Sequence, residues 1–326
     1  MSNPLSICNR RYCPVWLIFL IVLTGPVAST SQTSVSILWI GNSFTWRWSY
    51  EQIARHLIDS MPAPKTIRVD KSDESIAWAT TLSNHWNDTD IAGKRAPDLI
   101  RQYHYTYVVL QDYLMDSAAT GYYTFDSMRV YMKKFCDLIR QTGATPVIPA
   151  IWPNKTEQQK WGPLIHCYEK VAADNNALYV PESPAWRVIL AQKPDYPLWE
   201  GDGHHADWAG AYVNACCFFA AITRRSPVGN PYIGHEYHPF PDSALYMQQM
   251  AWKTCDSVLH ISSTGVQATA TVNAPDRAEA RPASPAWYSL NGRRVIQGTP
   301  VAPVVSDRKT MINIRSASRF FEATTR

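Results

Sequence analysis

The sequence predicts a three-layer α/β/α fold, in which helices cover both faces of a parallel sheet of about five strands. From residue 34 onward, short apolar runs alternate with longer helical stretches, which is the pattern of a parallel sheet with helical crossovers. The 326 residues are 46% hydrophobic, which is enough for a large buried core. The regular pattern ends near residue 262, so we expect a small C-terminal β tail after the main domain.

The predicted strands are short apolar runs bounded by turn residues, at residues 36–40, 66–69, 107–111, 146–150 and 178–180. The predicted helices cover residues 49–60, 125–141, 157–175, 208–223 and 243–259. Within residues 208–223, apolar side chains recur at helical spacing, which predicts a helix with one apolar face.

Composition divides the chain into four predicted segments, the last of which is the β tail. Arg10 and Arg11 precede an apolar run of about a dozen residues and then small residues, so residues 1–29 are predicted to be a signal peptide. A bilayer span needs about 20 apolar residues, although an uncleaved anchor stays the alternative. Residues 30–262 form the predicted main domain, and 263–285 form a linker rich in Ser, Thr, Ala and Pro. We therefore expect a secreted or cell-surface protein, which meets the membrane only during export.

The predicted β tail covers residues 286–326, with a turn at Asn291 and Gly292. Its stretch WYSLNGRRVIQG resembles the C-terminal sorting tails of type IX-secreted bacterial proteins, in which a Leu-x-Gly-Arg turn is typical. An ordinary hairpin is the alternative.

Charge and cysteine usage exclude several classes of function. The formal net charge is +4, and the residues after 265 carry nine basic against four acidic side chains, so the main domain has no basic surplus. We expect no nucleic acid partner. Five cysteines follow the predicted signal peptide, in none of the spacings that hold zinc. We expect neither a metal nor an organic cofactor. Disulfide pairing and oligomeric state stay open.

Ser43 is the candidate nucleophile. It follows Gly41 and Asn42 at the end of the first predicted strand, and open α/β sheets bind ligands beyond the carboxyl ends of their strands. At such a turn the backbone N–H of the serine can also face a developing oxyanion. The alternative is an ordinary turn, because Gly, Asn and Ser are common turn residues.

A serine hydroxyl needs a base, and the segment WEGDGHHADWAGAY offers one. Asp202 and His205 are three residues apart, so the carboxylate can accept the Nδ1 proton of the imidazole and leave Nε2 facing Ser43. Asp207 is placed to cap the helix that begins at Trp208. The alternative is a polar capping loop with incidental histidines.

Together these motifs resemble the SGNH (GDSL-like) hydrolases, over about residues 34–259. In that superfamily a serine turn near the N-terminus pairs with an Asp-x-x-His before the last core helix. The resemblance implies a flavodoxin-like sheet and makes Ser43, His205 and Asp202 the catalytic residues. Gly210, five residues after His205, matches the family spacing and favours His205 over His204 as the base.

Two central blocks depart from the family pattern, and they concern the oxyanion hole. Where the family has a glycine after the second strand, this chain has WATTLSNHWN, so Ala79 or Thr80 would supply the backbone N–H beside that of Ser43. Where the family has an asparagine, this chain has Gln111, whose carboxamide is the expected donor. By resemblance, Leu82 and His85 mark the second block. His85 is a candidate substrate-binding residue, with a structural histidine as the alternative.

Trp152, after the fourth predicted strand, is the second candidate substrate-binding residue, because its ring could stack on a sugar. Ordinary packing is the alternative. We expect a secreted serine esterase acting through an acyl-enzyme on a small ester or an acetylated polysaccharide. A general short-chain esterase or lipase, and a non-catalytic carbohydrate-binding protein on the same fold, are the rivals. A flavodoxin-like nucleotide-binding protein is disfavoured, because no phosphate-binding glycine loop such as GxxxxGK[ST] is present.

Overall fold

The computed structural model of the chain describes residues 32–88, 95–112, 125–233 and 241–262, together with 287–288 and 294–295. The predicted signal peptide, the predicted linker and most of the predicted tail lie outside the described residues. The chain divides into two compact units, Met1–Val272 and Asn273–Arg326.

The core of the first unit is a five-stranded sheet, parallel throughout, with strand order β2-β1-β3-β4-β5. Its strands are β1 (Thr33–Gly41), β2 (Ile67–Ile76), β3 (Tyr107–Leu110), β4 (Thr145–Pro149) and β5 (Leu178–Val180). The predicted α/β fold class is therefore confirmed, and all five predicted strands are observed.

The helices that flank the sheet are α1 (Ser43–Trp46), α2 (Tyr50–Asp59), α3 (Leu82–Asn87), α4 (Ala96–Gln102), α5 (Phe125–Gln141), α6 (Trp161–Asp174), α7 (Glu182–Gln192), α8 (Trp208–Thr223) and α9 (Pro241–Leu259). Single 3-10 turns at Arg47–Ser49 and Gln158–Lys160 precede α2 and α6. The helices α1, α3, α4 and α7 are not among the predicted elements.

Helix α8 is buried on all sides, which differs from the prediction of one apolar face. All of its 16 residues are buried, since α8 packs against α2, α7 and α9 as well as β5. A helix that is apolar all round is one enclosed by protein. The adjacent Cys216 and Cys217 are fully buried and act as small hydrophobic core residues. Helices α5 and α6 pack against β3, β4 and β5.

Strand β2 is longer than predicted. Its second half is polar, so the apolar pattern in the sequence showed only its beginning. It pairs with β1 as far as Ile76, and it lies at the edge of the sheet. Charged residues such as Asp70, Lys71 and Asp73 occupy this strand, and charged side chains are common on edge strands, where they oppose further strand pairing. The apolar run at residues 66–69 therefore marks only the start of the strand.

The second unit contains a short antiparallel pair, β6 (Trp287–Tyr288) and β7 (Arg294–Val295). Both lie in the region where the sequence predicts a β tail. Among the described helices, none combines the length and the apolar character needed to cross a bilayer.

The strand register brings the segments that carry Ser43, Thr80 and Gln111 together at the carboxyl-terminal ends of the strands. Gly41 at the end of β1 pairs with Ile76 of β2, and Ile40 pairs with Leu110 of β3. The loops that follow β1, β2 and β3 therefore begin beside one another. Because β2 lies on one side of β1 and β3 on the other, a crevice opens at the end of β1. This is the crevice where open α/β sheets bind ligands.

Candidate active site

Ser43 occupies the first position of α1, directly after β1. Its neighbour Asn42 is the N-cap, with a side-chain oxygen that accepts a hydrogen bond from the N–H of Phe44 at 3.1 Å. A Cβ atom at Gly41 would lie 2.7 Å from Gln111 Oε1 and 2.8 Å from Thr45 Oγ1. Glycine is therefore needed for the chain to turn this closely past β3, and the turn presents the Ser43 hydroxyl to the crevice.

The structure brings Ser43, His205 and Asp202 together in a hydrogen-bonded chain. Ser43 Oγ lies 2.9 Å from His205 Nε2, and His205 Nδ1 lies 2.6 Å from Asp202 Oδ2. A carboxylate only accepts, so Nδ1 carries the imidazole proton and Nε2 is left to accept from the Ser43 hydroxyl. This is the geometry of an activated serine nucleophile.

The loop that carries His205 is fixed by its own backbone. The N–H groups of His204 and His205 both donate to Asp202 Oδ1, at 2.8 and 3.0 Å. Glu200 N–H donates to the His205 carbonyl at 2.9 Å, and Gly203, at φ +69°, donates to the Glu200 carbonyl at 2.9 Å. The loop then ends at Asp207, which caps α8. The imidazole is thus held by a rigid turn.

The environment of Asp202 keeps it ionised. Burial raises the pKa of this carboxyl, but the hydrogen bonds from the His205 ring and from the backbone N–H groups of His204 and His205 outweigh it, so the pKa lies below its usual value. Three donors on one carboxylate favour the charged form. Asp202 is therefore an acceptor that orients His205 at neutral pH.

His204 takes a different role from its neighbour. Its Nδ1 lies 2.5 Å from Asn154 Oδ1, and its ring packs edge-on against Phe44, with centroids 4.8 Å apart. Burial, and then the nearby His205, lower the pKa of His204. Of the two adjacent histidines, only His205 has a hydrogen bond to Ser43 among the described contacts.

Thr80 lies beside the turn that carries Ser43, where its carbonyl accepts from the Asn42 side-chain amide at 2.9 Å. The preceding residue, Ala79, has φ +50°, which is uncommon for a residue other than glycine. Within the described residues, neither the Thr80 N–H nor the Ser43 N–H has a hydrogen-bond acceptor. Both are thus available as donors at this edge of the sheet.

Gln111 is placed differently from the sequence-based prediction of an oxyanion donor. Its Oε1 accepts from the Asn42 N–H at 2.9 Å and from the Thr45 hydroxyl at 3.1 Å, and its Nε2 donates to the Asp112 carbonyl at 2.7 Å. The side chain is 2% exposed. Because both ends of the carboxamide are used inside the protein, Gln111 supports the turn that carries Ser43 and is not aimed at the crevice.

His85 does not face the cleft, so the prediction that it binds substrate is not supported. It is 1% exposed, and its Nε2 lies 2.9 Å from the Gly41 carbonyl, to which it donates. Burial lowers the pKa of His85 to about 4, so the ring is neutral at pH 7. The alternative interpretation, a structural histidine that holds the end of β1 against α3, fits this position.

Trp152 is likewise internal, since it is 3% exposed. Its ring stacks on Trp186, with centroids 4.1 Å apart and planes 10° apart, and its Nε1 donates to the His204 carbonyl at 3.1 Å. A sugar could not reach a face that is already stacked. Trp152 instead supports the histidine loop from beneath.

Sequence reasoning missed three tryptophans that border this site. Trp46, Trp48 and Trp78 are 47%, 42% and 64% exposed. Trp48 Nε1 donates to Glu200 Oε1 at 3.1 Å, and Arg47 forms an ion pair with the same carboxylate. The one signal available in the sequence is that Trp46 lies three residues after the serine and Trp78 two residues before Thr80.

Glu200, Asp202 and His205 place their ligand atoms within 4.8 Å of one another, which invites a test for a metal. Their chemistry argues against one. Arg47 already neutralises Glu200, and His205 Nδ1 donates a proton to Asp202. To bind here, a cation would have to displace the Arg47 guanidinium from Glu200 and the His205 proton from Asp202. The displaced guanidinium would still repel it.

No family model matches this sequence, and no curated protein matches it. Among solved structures, the described fold is similar to a DUF4886 family protein from Bacteroides uniformis, at 17% identity, over 70% of this chain and 95% of that one, with a TM-score of 0.55. A candidate SGNH hydrolase from Slackia heliotrinireducens matches at 20% identity, over 59% and 100% of the chains, with a TM-score of 0.47. Axe2, an acetylxylan esterase from Geobacillus stearothermophilus, matches at 15% identity, over 59% and 96%, with a TM-score of 0.45.

The first of these similarities shows a shared fold. The five-stranded parallel sheet, the serine turn after β1 and the Asp-x-x-His loop before α8 complete the pattern that the sequence motifs indicate. In its α/β fold and in the order of these elements, the chain resembles the SGNH (GDSL-like) hydrolases, as its sequence motifs indicate.

Proposed function

We propose that this protein is a serine esterase that hydrolyses carboxylic esters through an acyl-enzyme. The observation that carries the proposal is the continuous hydrogen-bonded chain from Ser43 Oγ through His205 to Asp202, at 2.9 and 2.6 Å. Such a chain activates a hydroxyl for attack on a carbonyl carbon.

In the acylation step, Ser43 Oγ attacks the ester carbonyl while His205 Nε2 takes the hydroxyl proton. Negative charge develops on the carbonyl oxygen, and the N–H groups of Ser43 and Thr80 are the donors that we assign to it. His205 then gives its proton to the leaving alcohol, and the acyl group stays on Ser43.

Deacylation repeats these events with water as the nucleophile. His205 takes a proton from water, the hydroxide adds to the acyl carbon, and the proton returns to Ser43 as the acid departs. Asp202 stays ionised throughout and stabilises the imidazolium that forms twice in each cycle. No step requires a metal or an organic cofactor.

Export completes the proposal. The basic and apolar pattern of residues 1–29 supports a secreted or cell-surface location. Mass spectrometry of the mature protein from the producing cell tests this, because cleavage would begin the chain near residue 30. A mature protein that retains Arg10 and Arg11 would point to an anchor.

The enzymatic proposal is tested with p-nitrophenyl acetate and acetylated xylan, on the wild type, Ser43→Ala, His205→Ala and His204→Ala. We expect Ser43→Ala and His205→Ala to lower kcat by roughly 10³-fold or more. His204→Ala is the matched control, because His204 bonds to Asn154 and not to Ser43. It should retain most of the activity.

A non-catalytic carbohydrate-binding protein is the rival function, and the internal use of the Gln111 carboxamide favours it, since one expected oxyanion donor is lacking. One such donor contributes about 10²- to 10³-fold to turnover, so its lack predicts a slower enzyme. Sugar binding without any Ser43-dependent turnover would support the rival.

A further inference from the structure

We propose that Trp46 and Trp78 form an aromatic subsite for the alcohol part of the ester, and that this alcohol is a sugar ring. Their indole rings lie 5.4 Å apart between centroids, inclined at 54°. The inference rests on the proposed esterase function and names the substrate class of the same site.

The pair lies against the catalytic base. The Trp78 ring centroid is 6.5 Å from that of His205, and the two rings meet edge to face. Trp46 is at the end of the four-residue helix that Ser43 begins, which is less than one turn along the helix axis. Trp78 thus packs against the ring of the base, and Trp46 packs against Trp78 from the helix that carries the serine.

The side of the site on which they lie indicates which part of the substrate they contact. The protonated His205 must give its proton to the oxygen of the leaving alcohol, so that oxygen lies beside Nε2. Trp78 is the exposed aromatic residue packed against the His205 ring. A group attached to the leaving oxygen therefore meets Trp78 first and Trp46 next.

Exposure of the two rings needs an explanation of this kind. Trp46 and Trp78 are 47% and 64% exposed, although the other residues of the Trp46 helix, Ser43, Phe44 and Thr45, are buried. Exposed apolar patches mark interaction sites, and ligand sites are commonly lined by aromatic side chains. The left-handed backbone of Ala79, at φ +50°, lies directly after Trp78, and strain of this kind concentrates at functional sites.

The chemistry of the surface favours a sugar over a fatty chain. The described large apolar side chains exposed near the triad are all tryptophans, whereas the exposed aliphatic residues Val130 and Leu245 lie on α5 and α9. The electron-rich face of an indole suits the C–H face of a pyranose. Within the described residues, neither Trp46 Nε1 nor Trp78 Nε1 has a hydrogen-bond acceptor, so each can donate to a hydroxyl group.

The test compares an acetylated xylo-oligosaccharide with ethyl acetate, which has the same acyl group and no ring. The variants are Trp46→Ala, Trp78→Ala, their double variant and Trp78→Leu, which keeps an apolar side chain but removes the ring. Leu245→Ala is the control, because Leu245 is an exposed apolar residue on α9. Circular dichroism and Tm establish that each variant is folded.

We expect each alanine variant to lower kcat/KM for the acetylated sugar by about 3- to 10-fold, through KM, and the double variant by more than about tenfold. Trp78→Leu should resemble Trp78→Ala. Ethyl acetate turnover should stay within about twofold for every variant. An equal loss on both substrates, or no loss on the sugar, would overturn the subsite. Phenyl acetate is assayed as a third substrate, and a loss of turnover on it without one on the sugar would assign the pair to aryl alcohols and would also overturn the subsite.

Binding separates this proposal from the esterase itself. Calorimetric titration of xylohexaose into Ser43→Ala, with and without the double tryptophan substitution, requires no turnover. A Kd that rises at least tenfold with the double substitution supports the subsite even if no ester is hydrolysed. Ser43-dependent hydrolysis of ethyl acetate together with an unchanged Kd would retain the esterase and reject the subsite.

Discussion

His205 Nε2 lies 2.9 Å from Ser43 Oγ although 162 positions separate the two residues. The contact is made because β1 ends at the sheet edge that the loop before α8 also reaches. Each partner is fixed separately, Ser43 by the Asn42 cap and His205 by the Asp202 turn. In the proposed mechanism, two rigid elements thus position the hydroxyl and the imidazole, which limits the reorganisation needed for attack.

Asp202→Asn should lower kcat for p-nitrophenyl acetate by about 10³- to 10⁴-fold with little change in KM. An amide can present its oxygen to the backbone N–H groups, and its NH₂ then faces His205 Nδ1. Because that nitrogen must now accept, Nε2 carries the proton and can no longer take one from Ser43.

Asp207→Asn is the matched control for this change, since it makes the same substitution in the same loop. Asp207 caps α8, and asparagine is an equally good N-cap. This variant should retain wild-type turnover. Full activity in Asp202→Asn, measured on the same preparations, would remove Asp202 from the mechanism.

Gln111→Ala should destabilise the protein as well as slow it. Removal of the carboxamide leaves the buried Asn42 N–H without its acceptor, which costs about 1–3 kcal/mol in the free energy of unfolding. Urea denaturation measures this. A residue that acts only as an oxyanion donor would lose turnover with no change in stability, so that result would contradict the supporting role.

The fold and the meeting of Ser43, His205 and Asp202 could be predicted because they rest on local signals. The apolar runs of β1, β3, β4 and β5 each lie in a buried strand, and the spacing of Asp202 and His205 within one loop was visible in the sequence. Helix α7 gave no such signal. It begins after Pro181 and contains Pro184 in its first turn, where proline is tolerated. Two prolines so close together are typical of a loop, so the sequence did not indicate a helix.

The roles of Trp152 and Trp78 could not be separated by sequence, because tryptophan serves equally in a core and on a binding surface. Only the fold places Trp152 in a stack with Trp186 and leaves Trp78 exposed. Gln111 shows the same limit. Its position after β3 is readable, but the direction of a side chain with three rotatable bonds depends on the neighbours that it meets.

His85 should make the protein sensitive to acid. Its pKa is about 4 in the folded protein, against an ordinary value of 6.5. Between pH 6.5 and 4 the unfolded chain therefore binds a proton that the folded chain does not, so stability falls as the pH falls through this window. The loss attributable to His85 approaches about 3 kcal/mol at pH 4.

His85→Gln isolates that contribution, because a glutamine N–H can still donate to the Gly41 carbonyl and does not titrate. In urea denaturation at pH 7, 5.5 and 4, the free energy of unfolding should fall less for the variant than for the wild type as the pH falls. Parallel curves for the two proteins across this range would mean that His85 titrates normally in the folded state.

Gly210→Ala should destabilise the first unit severely, and the reason lies in the packing of α8. A Cβ atom at this position would lie 2.4 Å from the Leu198 carbonyl oxygen and 2.4 Å from Trp186 Cζ2. Neither can withdraw easily, since one is backbone and the other belongs to a ring stacked on Trp152. We expect a loss of about 2–4 kcal/mol.

Gly162→Ala is the matched substitution, because Gly162 is also helical and a Cβ there would meet nothing within 4 Å. It should be neutral or stabilise the protein by up to about 1 kcal/mol through helix propensity. Thermal and urea denaturation of both variants measure the contrast. Equal stability of the two variants would show that α8 can shift away from Trp186. Glycine would then not be required at position 210 for steric reasons.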